Sequence, residues 1–148
     1  MQNLADSPIV VILIRADSGE LFVHQRHTCK AQFPGRFGLG AGGKVEPDET
    51  PLSAAQRELW EETGLRAQVR SLFDLTYQSA TLQHRLFVFE HVTPLEPRHD
   101  TSEWQWSGWL TPRQVQWLAR QEKLCPDTKL VFEHYLQTTT QQVASPRS

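Results

Sequence analysis

The chain has 148 residues, 22% of them charged, with a formal net charge of −2 and two cysteines. That length suits one domain with a substantial core, and so small a net charge gives no general reason to expect a nucleic-acid or membrane partner. Cys29 and Cys125 are far apart and in no metal-ligand spacing, which argues against a disulfide framework and points to a reducing cytoplasm.

The start, MQNLADSP, lacks a basic run followed by an apolar one, so no leader is expected there. Residues 8–15 are β-branched and apolar, which predicts a buried strand too short to cross a bilayer. Asp17, Ser18 and Gly19 supply a turn. Residues 21–26 then predict the returning strand, with Phe22, His24 and Arg26 on one face and Leu21, Val23 and Gln25 on the other. Residues 27–36 read as a loop ending in Phe33, Pro34 and Gly35. Gly38, Gly40, Gly42 and Gly43 punctuate the short strand that follows, and so many glycines predict close backbone approach to a ligand or metal.

Thr50 is a good N-cap and Pro51 sits at the first helical position, where its missing N–H costs nothing. The helix continues to Gly64, which can take the left-handed conformation that ends it. Leu52, Ala55 and Leu59 are its expected buried stripe. Residues 68–76 and 82–92 read as strands, 93–100 as a loop, and 103–110 as a Trp-rich extended segment. Thr111 and Pro112 start a helix through Gln121, and Asp127 is expected to cap a final helix over about 128–136. These elements imply an α/β domain, a mixed sheet covered by helices, over residues 1–137. Residues 138–148 are polar without periodicity and predict a disordered tail.

The first long helix carries the chemistry. Glu58, Glu61 and Glu62, at i, i+3 and i+4, fall on one face. Like charges so placed weaken a bare helix by roughly 0.2–0.5 kcal/mol per pair, so a cation is expected among them. Hard carboxylate oxygens suit Mg²⁺ or Mn²⁺ rather than zinc. Arg57 lies four residues before Glu61 and can pair with it. The plainer alternative is a charged, solvated helix face.

Residues 43–65, GKVEPDETPLSAAQRELWEETGL, resemble the Nudix box, G-x5-E-x7-R-E-U-x-E-E-x-G-U with U a bulky aliphatic. Gly43, Glu49, Arg57, Glu58, Leu59, Glu61, Glu62, Gly64 and Leu65 fill every defined position. The resemblance implies an α/β/α sandwich with a mixed sheet and the box as loop-helix-loop. It implies metal-dependent hydrolysis of a nucleoside diphosphate linked to another group, a small-molecule substrate. Glu58, Glu61 and Glu62 would be the metal ligands, joined by the carbonyl of Gly42. Arg57 would orient the acids and Glu49 would support them. Glu58 or a carboxylate outside the box would take the proton from water. Glu103 is the candidate for that outside base, near where some relatives carry a late glutamate, with Glu96 and Asp100 as rivals. Each of the three also reads as a solvated loop acid. Family members often pair, so a homodimer is open.

Phosphate contacts need positive charge. Arg26 and Lys44 are the leading candidates, followed by Lys30, Arg36 and Arg85. Trp104, Trp106 and Trp109 read as core aromatics, with base stacking as the alternative. Residues 25–38, QRHTCKAQFPGRFG, are similar to a Q-R…K…F-P-G run of isopentenyl-diphosphate isomerases and related Nudix proteins. The isomerase needs a cysteine shortly after that run. Residues 38–43 hold none, Cys29 lies before the Phe-Pro-Gly, and the box is whole. A hydrolase in an isomerase-like branch is therefore expected. An isoprenoid-diphosphate isomerase and a catalytically silent nucleotide-binding Nudix module are the alternatives. No motif outside the box identifies the diphosphate.

Overall fold

Strand β1 (Ser7–Arg15) is the axis of the fold, because its side chains alternate between two apolar layers. Val10, Ile12 and Ile14 pack with Ala54, Ala55 and Leu59 on one side, while Leu13 packs with Val115, Leu118, Val131 and Phe132 on the other. The computed structural model describes residues 7–94, 96–98 and 102–144. Asp100, one of the rival bases, lies outside the described residues, as do the first six residues, His99 and residues 145–148.

Among the described residues the remaining elements are β2 (Leu21–Arg26), β3 (Phe37–Leu39), β4 (Ala41–Lys44), α1 (Pro51–Thr63), β5 (Arg70–Gln78), β6 (Gln83–Val92), β7 (Trp104–Leu110), α2 (Pro112–Arg120) and α3 (Pro126–Ala144). β1 runs parallel to β6 and antiparallel to β4, and β5 closes that side antiparallel to β6. β2 lies between β3 and β7, antiparallel to both, and meets β1 in register at Arg15 and Leu21. The result is a mixed sheet with α1 on one face and α2 and α3 on the other, the expected α/β/α sandwich.

The glycine-rich segment departs from the single strand expected of it. It breaks at Gly40, whose φ is +59° and whose N–H reaches the Phe22 carbonyl at 2.7 Å. A side chain at position 40 would collide with the Ile12 carbonyl oxygen, so only glycine fits. β3 therefore serves β2 while β4 serves β1, and the sheet forks between them.

Helix α1 starts as its capping chemistry dictates. Thr50 Oγ1 accepts the Ser53 N–H and Ser53 Oγ accepts the Thr50 N–H, each at 3.1 Å, a reciprocal capping box. Gly64, φ +73°, ends it by donating its N–H to Trp60 O. The buried stripe is Ala54, Ala55, Leu59 and Thr63; Leu52, expected among them, is 47% exposed. The docking direction follows from where β4 and β1 lie, not from the helix alone.

Helix α3 begins at Pro126, so Asp127 belongs to its first turn rather than preceding it, and it runs to Ala144. Residues 138–144 are thus helical where a tail is expected. Once nucleated, a helix gains a hydrogen bond for every residue added, and no proline interrupts the chain before Pro146. The Thr138 and Thr139 hydroxyls donate to Tyr135 O at 2.9 Å, satisfying themselves within the helix. No helix among the described residues is long and apolar enough to cross a membrane.

Candidate active site

A cavity of about 590 Å³ opens at the fork in the sheet. α1 contributes Glu58, Glu61 and Glu62, β4 contributes Gly42, Gly43 and Lys44, and β2 contributes His24 and Arg26. The glycines let α1 approach. A methyl group on Gly43 would overlap the Glu58 carboxylate, and one on Gly42 would press on the Val10 carbonyl oxygen.

Arg57 is the hub of the box. Its Nε and Nη2 donate to the two oxygens of Glu49 at 2.7 and 2.9 Å, a bidentate pair. Nη2 also donates to Lys44 O at 3.0 Å, tying the preceding strand to the helix. Nη1 donates to Glu58 Oε1 at 2.7 Å and to Glu61 Oε2 at 3.2 Å. The i, i+4 pair with Glu61 is therefore present but is the longest of these contacts. The Arg57 hydrogen bonds, aided by the Glu46 N–H, hold the Glu49 carboxyl down at about 2, so this network stays ionised.

Glu62 behaves oppositely. Burial first, and then a hydrogen bond and the charge of Glu58, raise its proton affinity well above that of an ordinary carboxyl group. The Gly42 N–H, 3.3 Å from Oε1, only partly offsets this, and Glu103 adds repulsion. Two carboxyl groups that close share either a proton or a cation. Glu61 is 54% exposed and turned to Arg57, so among the described residues no three acidic, imidazole or thiol groups are gathered around an ion as they stand. The donor set nonetheless suits a hard divalent cation, which Glu58, Glu61 and Glu62 would hold through carboxylate oxygens.

The other predicted residues divide. Arg26 and Lys44 line the cavity, with Arg26 Nε donating to Gln32 O at 2.9 Å. Glu103 also lines it and is paired with Lys30 at 2.8 Å. Glu96 lies at a separate depression beside Asp17 and Glu20. Arg36 donates to Leu124 O, and Arg85 sits over the Phe87 ring. Trp104 is buried, Trp109 meets Phe22 edge-on, and Trp106 is 39% exposed.

Two histidines were not singled out by sequence reasoning. His24 lies flat on Trp104, centroids 4.7 Å apart, and its Nδ1–H donates to Gly40 O at 2.7 Å. A carbonyl can only accept, so this bond selects the tautomer. Burial, more than the nearby Arg26 charge, pushes its pKa down to about 4, leaving it neutral. Its sharing of a strand face with Arg26 was the available signal. Also lining the cavity, His84 Nδ1 lies 3.2 Å from Asp127 Oδ2, a pairing across the fold that no local pattern announces.

A sequence model of the NUDIX domain matches residues 6–133. The chain belongs to the Nudix hydrolase family. That family acts on phosphoric anhydride bonds and generally uses a divalent metal ion. This Nudix chain is 33% identical over 132 residues to an uncharacterized Nudix hydrolase of Pseudomonas aeruginosa, covering 84% of this chain and 75% of that protein. It is 32% identical over 115 residues to another from Rhodococcus erythropolis, covering 70% of this chain but only 62% of that protein. Its Nudix fold superposes on a MutT protein from Methanosarcina mazei with a TM-score of 0.79 at 22% identity, over 94% of this chain and 99% of that one.

Proposed function

We propose that this chain is a metal-dependent pyrophosphohydrolase that cleaves the anhydride link of a nucleoside diphosphate derivative by attack of water on phosphorus. The observation that carries the reading is the half-buried Glu58–Glu62 pair, set against the Gly42–Gly43 backbone at the cavity wall. Glu58, Glu61, Glu62 and the Gly42 carbonyl would hold Mg²⁺, or Mn²⁺ in its place. A bound divalent ion shields phosphate charge and makes water nucleophilic.

The protein's own groups do the rest. Arg57, locked by Glu49, fixes Glu58 and Glu61 beside one another at the cavity wall. Arg26 and Lys44 bind phosphate oxygens from the cavity wall. Glu58 or Glu103 accepts the proton from water. Free thiols at Cys29 and Cys125 accord with a reducing cytoplasm, and a homodimer is part of the proposal only by family likeness. The isomerase-like branch rests on residues 25–38 alone. The missing cysteine at residues 38–43 weighs against isomerase chemistry, and the complete set of box glutamates weighs against a silent module.

The test is a panel of nucleoside triphosphates, sugar nucleotides, dinucleoside polyphosphates and dinucleotide cofactors assayed with Mg²⁺ and with Mn²⁺. Turnover that disappears on chelation and returns with metal is the expected result. Folded Glu61→Gln and Glu62→Gln proteins that keep full metal-dependent hydrolysis would end the assignment.

A further inference from the structure

Two loops face each other across the mouth of the cavity. The segment between β2 and β3 contributes Gln32 and Phe33 to the lining, and the segment before β7 contributes Ser102 and Glu103. The first loop is stapled to β2. The Arg26 N–H donates to Arg36 O at 2.9 Å, and the Gln25 side-chain amide donates to Gly35 O at 3.2 Å. The staples hold Phe33 at φ +49°, a conformation that non-glycine residues rarely adopt. From this anchored loop Lys30 reaches across to Glu103, Nζ to Oε2 2.8 Å.

Both partners are spoken for in a way that hydrolysis would have to undo. Glu103 lies close enough to the acid pair for its charge to be felt at Glu62, yet it faces an ammonium group. The two side chains are 27% and 45% exposed, and so exposed an ion pair is weak and screened by salt. A phosphate chain carries several oxygens at higher charge density than one carboxylate. Lys30 can follow it, because an ammonium on a four-carbon stem offers three rotatable donors. Arg26 has less freedom, since its Nε is already tied to Gln32 O.

We propose that Lys30 is a recognition residue that exchanges partners: it rests on Glu103 in the free protein and moves to a phosphate oxygen when the substrate enters, leaving the Glu103 carboxylate facing the acid pair. The anion's identity rests on the hydrolase reading above. The rival account is a static tie between two loops.

The experiment is calorimetric titration of imidodiphosphate, a diphosphate that resists hydrolysis, in the presence of Mg²⁺, alongside steady-state kinetics. Exchange predicts that Lys30→Gln raises the Kd for imidodiphosphate about tenfold. It also predicts a rise in KM larger than the fall in kcat, and a weaker dependence of binding on salt. Glu103→Gln frees Lys30 without removing it, so exchange predicts that its affinity holds or rises, whereas a static tie predicts the same loss as in Lys30→Gln. Unchanged affinity in Lys30→Gln, or an equal loss of affinity in Glu103→Gln, would overturn the proposal. Wild-type protein that fails to bind imidodiphosphate at all would sink the hydrolase reading with it, whereas binding by wild type and Lys30→Gln alike removes only the exchange.

Discussion

Two clusters of arginine and glutamate in this molecule are built to opposite charge ratios. Around Arg57 stand Glu49, Glu58 and Glu61, with Glu62 behind them, four acids to one base. Around Glu90, which is 7% exposed, stand Arg15 and Arg70 at 3.4 and 3.0 Å, two bases to one acid. The Glu90 cluster is complete as it stands, since every oxygen of the buried carboxylate has a guanidinium partner and the excess charge sits on Arg70, exposed to water. The Arg57 cluster is not complete. Its excess is acidic and stands at the cavity wall, where a cation from outside would balance it. Abundant ion pairing is thus common to both, and the uncompensated acid is what sets the Arg57 cluster apart.

The contrast breaks most sharply at Glu62. Replacing it with Gln should lower kcat by about a thousandfold, roughly 4 kcal/mol, because a ligand for the cation is lost. The thermal midpoint should hold or rise, because a buried carboxyl repelled by its neighbour is removed; a midpoint that falls would mean the acid pair is structural. Next, Arg57→Lys should cost about ten- to a hundredfold in kcat/KM, since lysine cannot make the bidentate bond to Glu49 while also reaching Glu58. Full activity in that variant would reduce the hub to a packing element.

His24 tests a third kind of site, a titratable group held by a backbone carbonyl and a stacked ring. Its folded pKa of about 4 lies below the ordinary value of 6.5, so the unfolded chain takes up the proton first as pH falls. Stability should be unaffected above pH 7 and drop by about 2 kcal/mol at pH 5. Urea unfolding of wild type and His24→Gln at both pH values measures this, and parallel losses in the two proteins would remove His24 as the cause. The smallest effect belongs to the complete cluster. Glu90→Gln should destabilise by about 1–2 kcal/mol, a buried ion pair discounted for its partly exposed arginines, with kcat unchanged. A matching loss of turnover would erase the distinction between the clusters.

What the sequence made legible was local. Thr50, Pro51 and Gly64 bracket α1 through bonds made within a turn, and the strand at residues 21–26 announces its faces by alternation. The spacing of the box acids likewise survives into the structure as one helix face. What stayed hidden depends on distant partners. Leu52 turns outward because the sheet lies elsewhere, and the Gly40 break answers a contact with Ile12, twenty-eight residues earlier in the chain. The pairs Lys30–Glu103, His24–Trp104 and His84–Asp127 join residues from separate elements, and no period or spacing encodes them.

The fork at Gly40 has a consequence for which parts of the fold share one cavity. A continuous sheet would wall off the α1 side from the α3 side, but here one opening is bordered by Glu58 from α1 and by Asp127 and Thr128 from α3. The acids of α1 and the His84–Asp127 pair therefore border one and the same space. The slot exists only because position 40 bears no side chain: one there would strike the Ile12 carbonyl oxygen and undo the fork itself.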